Sequence, residues 1–316
     1  MQKLTIEETA RFFLARDGFL ILTHRRPDGD TAGCAAALCR GLRSLGKEAY
    51  ILRNPQLTAR YQPYHRGLTV AAPPEDSVIV SVDVASPGML CPGAEKLPVE
   101  LLLDHHGSNL GFAYRGIVDS GAAACGEIVL RVLLAMGVRL DKAMAEALYV
   151  ALSTDTGCFR YANTTARTLR AAAACLEAGA NAYAINRALF ETVRPARMRL
   201  NAYLSQHMEL LRNGKVALCL IPLLAEREAG VTEDDMEDIS NFPRNLEGVE
   251  LAVTFRTTEN GDTKLSIRAT PAYDAAAIAL ALGGGGHRGA AGATLSCDQA
   301  QARKMVLAVL EKQGIL

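Results

Sequence analysis

Tryptophan is absent from this 316-residue chain, and aromatic residues together make up only 5% of it. That leaves too few rings for the repeated stacking platforms that grip single-stranded nucleic acid. Net charge is lacking as well, since 34 lysines and arginines balance 34 aspartates and glutamates. Proteins that hold long nucleic acid use a net basic surface, because neutralised phosphates supply most of their affinity. The balance therefore favours short or mononucleotide ligands. None of the eight cysteines forms a C-x-x-C pair, which argues against a zinc or disulfide framework and fits a reducing compartment. The longest apolar runs, such as Phe19–Thr23 and Leu101–Leu103, are far too short to span a bilayer. With Glu7 and Glu8 near the start and no signal-peptide pattern, the chain is expected to be soluble and cytoplasmic, without a membrane partner.

What is present is ample core material, 49% hydrophobic residues, in a chain long enough for two domains. Thr5-Ile6-Glu7-Glu8 predicts a capping box and a helix to about Arg16. Phe19–Thr23, Val78–Val82 and Glu100–Leu103 are apolar runs of strand length, each closed by polar or acidic residues. Leu148–Leu152 either repeats that pattern or ends a helix. Helical stretches such as the Ala-rich Ala32–Leu45 alternate with these runs. The expected class is α/β, with an N-terminal parallel sheet covered by helices on both faces. Thr165 to about Ala188 reads as helical, and Phe190–Leu211 as a connecting helix. Beyond it Ala217–Ile221, Val249–Phe255 and Lys264–Ala269 read as strands of a smaller C-terminal α/β domain, with Asn260-Gly261 as a hairpin turn. The expected divisions are 1–189, a connector over 190–212, and 213–316.

Functional groups in parallel sheets collect at the carboxyl ends of strands. His24, Asp28, Asp30, Asp83, Asp104, His105 and Asp155 all follow apolar segments in this way. Asp28 and Asp30 flank Gly29, so a tight turn directs both carboxylates into one site or leaves Asp30 as a helix cap. Asp104-His105-His106 places three ligands or proton carriers at one strand end, a costly group to desolvate without a cation or substrate. Carboxylates mixed with imidazoles suit Mn²⁺ or Mg²⁺, whereas structural zinc would use thiolates. Two such ions about 3.5–4 Å apart can clamp a phosphate and acidify a water, which points to hydrolysis at phosphorus.

These blocks resemble the DHH phosphoesterases, a superfamily named for the motif seen here as Asp104-His105-His106. The ordered counterparts are His24-x-x-x-Asp28-x-Asp30, Asp83, Asp104-His105-His106 and Asp155-Thr156-Gly157. Gly283 to Gly292, with His287, Arg288 and Gly289 inside it, looks like the signature of the associated DHHA1 domain. The compact layout is similar to the group that degrades very short RNA and dephosphorylates 3'-phosphoadenosine 5'-phosphate (pAp). The resemblance implies two Mn²⁺, or Mg²⁺ or another divalent cation. His24, Asp28 and Asp83 would hold one, and Asp30, Asp83, His105 and Asp155 the other. It implies that Asp104 and His106 serve catalysis, Asp104 by orientation and His106 near the phosphate or leaving group. Asn241 and Arg268 match positions that contact substrate. The implied partner is short RNA or a small nucleotide, with homodimerisation left open.

The chain departs from the family pattern in places. Ala85–Met89 lacks the arginine that many relatives carry, Gly33-Cys34 replaces a common Gly-Ser pair, and Cys125 stands where threonine is frequent. Gly284, Gly286 and Gly289 satisfy G-x-G-x-x-G, but a helical stretch precedes them where a dinucleotide fingerprint needs a strand. A side-chain-free loop over Gly284, Gly285 and Gly286 is expected instead to present amides to phosphate, with His287 and Arg288 beside it. Arg160, Arg194, Arg197 and Arg199 are candidates for a cleft lining, and closure of the second domain would select short substrates. Rival readings are a cyclic or linear dinucleotide phosphodiesterase, a pyrophosphatase, which would need a basic cluster in place of the glycines, and a non-catalytic nucleotide- or RNA-binding regulator.

Overall fold

Thr5 accepts the Glu8 amide at 3.1 Å while the Glu8 carboxylate takes the Thr5 amide at 2.8 Å. This capping box opens α1 (Ile6–Leu14) as the sequence predicts. The computed structural model describes residues 1–236 and 238–316, and the chain divides into two compact units, Met1–Thr192 and Val193–Leu316. Among the described residues no helix is long and apolar enough to cross a membrane.

In the first unit β1 (Gln2–Lys3), β2 (Phe19–Leu22), β3 (Ala49–Leu52), β4 (Thr69–Val70), β5 (Val78–Val82), β6 (Leu101–Asp104) and β7 (Arg115–Val118) form one sheet. Its order is β1-β7-β6-β5-β2-β3-β4, and every pairing is parallel. The helices are α1, α2 (Gly29–Ser44), α3 (Gln62–His65), α4 (Cys125–Ala135), α5 (Lys142–Asp155), α6 (Ala166–Glu177) and α7 (Ala182–Asn186). Leu148–Leu152, ambiguous in sequence, is helical and lies inside α5.

The α/β class and the parallel sheet are as expected, but helices do not cover both faces. Phe19, Ile21, Val80, Val82, Leu101 and Leu103 pack with residues of α1, α2, α4 and α5. The opposite face, Leu20, Leu22, Ile79 and Leu102, is buried under Val84, Leu90, Cys91, Ala94, Val99 and Ala113. Pro87, Pro92 and Pro98 fall in that covering segment, and proline denies a helix its interior amide hydrogen bonds, so only the short turn Pro87–Met89 forms. Its side of the sheet follows from handedness. The chain runs from β2 outward to β3 and β4, then returns to β5 on the other flank of β2. Right-handed crossovers travelling in opposite directions lie on opposite faces. The carboxyl ends of β2 and β5 thereby flank the point where strand order reverses, where ligands of such sheets bind.

The second unit begins with α8 (Pro195–His207) and β8 (Glu209–Leu211), so the tail of the expected connecting helix is strand. It continues with β9 (Val216–Ile221), α9 (Leu223–Ala229), β10 (Leu251–Thr257), β11 (Thr263–Ala269), α10 (Ala275–Ala281), β12 (Gly285–His287), β13 (Ala290–Leu295) and α11 (Gln299–Lys312). The sheet order is β12-β13-β11-β10-β9-β8, with β9 and β10 parallel and the other pairs antiparallel. Residues of α10 and α11 pack on one face, and those of α8 and α9 on the other.

The glycine-rich block corrects a further expectation. Gly285, Gly286 and His287 are not a loop but an edge strand paired with Gly292, Ala291 and Ala290. A Cβ on Gly284 would lie 2.1 Å from the Gly292 carbonyl oxygen, and one on Gly286 2.5 Å from Ala291 Cα. Backbone proximity within the sheet thus demands glycine at both positions, irrespective of any ligand.

Candidate active site

Three apolar strands deliver the site because each ends in a polar residue that the sheet interior cannot hold. His24 follows β2, Asp83 follows β5, and Asp104 closes β6 ahead of His105 and His106. Asp83 adopts the left-handed conformation at φ 57°, which aspartate tolerates better than most residues, and its amide donates to the Leu103 carbonyl at 2.8 Å. Two helix ends bring the rest. Asp28 is the N-cap of α2, accepting the amides of Asp30 at 3.0 Å and Thr31 at 3.2 Å. The cap is therefore Asp28, and Asp30 lies inside the first turn. Asp155 comes from the last residue of α5, not from a strand.

The donor atoms converge. His24 Nε2 lies 3.4 Å from Asp28 Oδ1 and 3.8 Å from Asp83 Oδ2. His105 Nε2 lies 3.2 Å from Asp155 Oδ2, 3.4 Å from Asp83 Oδ1 and 3.7 Å from Asp30 Oδ2. Three groups of donors fall within 4.8 Å of one another: His24, Asp28 and Asp83; Asp30, His105 and Asp155; and Asp83, His105 and His106. Asp83 turns one oxygen toward His24 and the other toward His105 and His106.

Backbone carbonyls orient both histidines. His24 Nδ1 meets the Arg25 oxygen at 2.7 Å and His105 Nδ1 the Ala122 oxygen at 3.2 Å. An Nδ1–H donated to a carbonyl leaves Nε2 with its lone pair toward the carboxylates, the arrangement common to metal-ligating imidazoles. Asp83 Oδ1 and His105 Nε2 are buried without a hydrogen-bond partner among the described residues. Such atoms are costly to bury unless something else satisfies them. Orphaned oxygen and imidazole donors among crowded carboxylates fit hard divalent cations.

Electrostatics agree. Burial alone would depress the His24 imidazole, but the Asp28 and Asp83 carboxylates push it up to about 10. His105 is likewise raised, against its burial, by Asp155, Asp83 and Asp30. Burial and the neighbouring Asp83 and Asp155 charges hold Asp30 well above the usual carboxylate range, and burial chiefly lifts Asp155 to about 6. The cluster lacks positive charge, which protons supply when no cation does.

Asp104 and His106 form a separate unit. Asp104 Oδ1 meets His106 Nδ1 at 2.7 Å, which raises the imidazole. Although buried, Asp104 stays below the usual carboxylate range because His106 and Asn109 both donate to it. Asn109, which the sequence reading missed, donates to Asp104 Oδ2 at 2.6 Å and to the Val84 oxygen at 3.0 Å. Its position five residues after Asp104 in an exposed-looking Gly-Ser-Asn stretch was the only available signal.

Asp30 has a second task. The N-cap residue of α4, Ala124, has no capping side chain. The fully buried Asp30 carboxylate takes its place, accepting the amides of Cys125 at 2.6 Å and Gly126 at 3.0 Å. Cys34 Sγ also donates to it at 3.2 Å. Asp30→Ala should therefore cost about 2 kcal/mol of stability through lost capping as well as activity. Thermal melts of metal-free protein test this; an unchanged midpoint would show that the cap contributes nothing.

In the second unit Arg268 Nε contacts Asn241 Oδ1 at 3.1 Å. Arg268, Ala290 and His287 are paired across β11, β13 and β12, so their side chains share one sheet face. Arg288 donates to the Pro271 carbonyl at 3.1 Å. The arginines expected to line a cleft are otherwise occupied: Arg194 pairs with Asp235 at 2.6 Å, Arg197 bonds Asn201 and the Asp235 carbonyl, and Arg199 bonds the Ala229 carbonyl. Arg160 donates Nε to the Gly157 carbonyl at 2.6 Å.

Residues 18–152 match the model described as DHH family, N-terminal domain, and residues 214–312 match the DHHA1 domain. The bifunctional oligoribonuclease and PAP phosphatase NrnA of Thermus thermophilus is 35% identical over 93% of this chain and 89% of its own. The Bacillus subtilis protein of the same name is 25% identical, over 96% and 97%. In fold, the chain is similar to an exopolyphosphatase-related protein from Bacteroides fragilis, with a TM-score of 0.84 at 23% identity, covering 97% of this chain and 95% of the other.

Proposed function

We propose that this chain, which belongs to the DHH family of phosphoesterases and carries a DHHA1 domain, hydrolyses very short oligoribonucleotides and pAp. The observation that carries this reading is Asp83, whose two oxygens face two different groups of ligand atoms. His24, Asp28 and Asp83 would hold one divalent cation, and Asp30, Asp83, His105 and Asp155 a second. Bound there, Mn²⁺ or Mg²⁺ would neutralise phosphate charge and acidify the attacking water. The oxygen and imidazole mixture suits Mn²⁺.

The residues' own work is positional. The Asp83 charge lies between both groups, so either loses a donor when it is removed. Asn109 and Asp104 hold His106 by Nδ1, which orients the opposite ring nitrogen as the proton source for the leaving oxygen. Burial of Asp30, Asp83 and Asp104 keeps water away from these charges and strengthens their mutual interactions. In the second unit His287 and Arg268, on one sheet face with Asn241 beside them, would bind the nucleotide portion. Arg288 and the edge-strand amides of Gly285 and Gly286 would contribute to that grip, with Gly284, whose own amide donates to the Ala279 carbonyl at 2.8 Å, letting the backbone approach. A cytoplasmic location belongs to this reading, with a catalytic domain over 1–189 and a substrate domain over 213–316.

Side-by-side rates on pAp, RNA of two to five nucleotides, pyrophosphate and cyclic dinucleotides, with Mn²⁺, Mg²⁺ or chelator, test the reading. Fast turnover of pAp and short RNA, abolished by chelator, is expected. Preference for pyrophosphate or cyclic dinucleotides would replace the substrate assignment, and no hydrolysis of any ester would favour a binding regulator. His287→Ala should raise KM about tenfold, the worth of one lost charge-assisted contact, with kcat little changed. A fall in kcat at constant KM would contradict a binding role.

A further inference from the structure

One strand beyond His24, the same edge of the sheet carries a second feature. The chain leaving β3 and entering α3 and β4 borders an open cavity of about 580 Å³, lined by Arg53, Asn54, Leu57, Gln62, His65 and Arg66 among others. No carboxylate lines it among the described residues, although acids and bases balance over the whole chain. Arg53 and Arg66 are exposed, and neither guanidinium makes a hydrogen bond or ion pair among the described residues. Elsewhere Arg194, Arg256 and Arg303 are each committed to a carboxylate within 2.7 Å. Two uncommitted guanidiniums in an acid-free concavity form a receptor for an oxyanion, and the planar donor fork of arginine matches phosphate.

The cavity is tied to the proposed catalytic site. Asn54, buried in its wall, donates to Thr23 Oγ1 at 3.1 Å and to the His24 carbonyl at 2.9 Å. Gln56 accepts the Arg26 amide at 3.1 Å, fastening the same loop to the segment after β2. β2 and β3 are paired in parallel, so their carboxyl ends lie about 5 Å apart. A strand of nucleic acid whose scissile phosphate sits at Asp83 and His24 therefore meets Arg53 next if it continues in that direction.

We propose that this cavity is a phosphate-binding subsite, which takes a phosphate of the oligonucleotide beyond the scissile one. It rests on the reading of short RNA as substrate. It gives that reading a physical ruler, because pAp and a dinucleotide have no such further internucleotide phosphate to place there. A free mononucleotide offers the same chemistry from another source.

The paired substitution Arg53→Ala with Arg66→Ala tests it, both positions being exposed and outside the core. Binding of labelled di- and pentanucleotides is measured by fluorescence anisotropy in an Asp83→Asn background, so that chemistry plays no part. Loss of the two arginines should weaken pentanucleotide binding about tenfold and flatten its salt dependence, while dinucleotide binding stays within about twofold. In the active protein KM for three to five nucleotides should rise while that for pAp does not. Equal effects at every length, or none, would overturn the subsite. Titration with AMP and with inorganic phosphate separates the sources: a second AMP site lost in the variant, with the length series unchanged, would identify free nucleotide as the occupant and overturn the strand placement. Failure of the wild-type protein to bind or cleave any short RNA would sink the substrate reading instead, and the AMP titration would still decide whether the cavity takes phosphate.

Discussion

Replacing Asp83 by asparagine should lower kcat/KM at least about a thousandfold with every substrate, equivalent to about 4 kcal/mol of lost transition-state stabilisation. Asparagine is the informative substitution. Asp83 sits at φ 57°, where asparagine is tolerated and alanine adds strain of its own. The change keeps the shape and removes a charge that faces His24 on one side and His105 on the other. Adding excess Mn²⁺ should not restore the rate, because each proposed cation group loses a donor. The metal-free variant should still fold, since asparagine keeps the shape and the backbone conformation of this buried position. Elemental analysis of bound metal checks the cause. Activity above about a tenth of wild type, in folded protein, would end the two-cation assignment; that margin is less than about 1.4 kcal/mol.

The second large effect is on stability and lies away from the chemistry. Gly33→Ala should destabilise the first unit by about 3 kcal/mol, the upper range of overpacking costs, and lower its melting temperature by roughly 6–12 °C. A Cβ on Gly33 would stand 2.2 Å from the Ala147 carbonyl oxygen and 3.0 Å from the Ala151 amide nitrogen, both in α5. These are backbone atoms, so no rotamer change relieves the clash and the helices must separate. Gly29 meets Thr154 in the same seam at 2.4 Å. Because Asp30 rides on α2 and Asp155 ends α5, separation should also weaken metal binding. Gly88→Ala is the control: its Cβ would meet nothing within 4 Å, and its φ is ordinary. If Gly33→Ala melts with wild type and Gly88→Ala, the seam is looser than these distances state.

This seam shows why part of the site could not be read from residue order. Asp155 follows an apolar run that suits a strand or a buried helix equally well, and nothing local separates the two. Packing does, because the small faces of α2 and α5 fit only as helices. Asp30 was legible as an acid beside a turn that directs it into one site with Asp28 or leaves it as a helix cap. Its role at the start of α4 depends on Cys125 and Gly126, about 95 residues away, and no spacing rule reaches so far. Asn109 and Asn54 were missed for a related reason, since each acts by bonding a backbone or carboxylate placed by another element.

The amino-acid order by itself determined the parallel sheet, its three polar strand ends and the identity of the converging acids and histidines. Apolar runs must be buried and charges cannot follow them inside, so each charge is stranded where its run stops. Tertiary structure alone decided what each charge faces. The reversal of strand order between β2 and β5 sets His24 beside Asp83, and close backbone contact within the sheet requires glycine at positions 284 and 286. Arg194, Arg197 and Arg199 were drawn into local bonds while Arg53 and Arg66 were left uncommitted. An arginine reads the same in sequence either way, because its partners are chosen by distance in the folded chain.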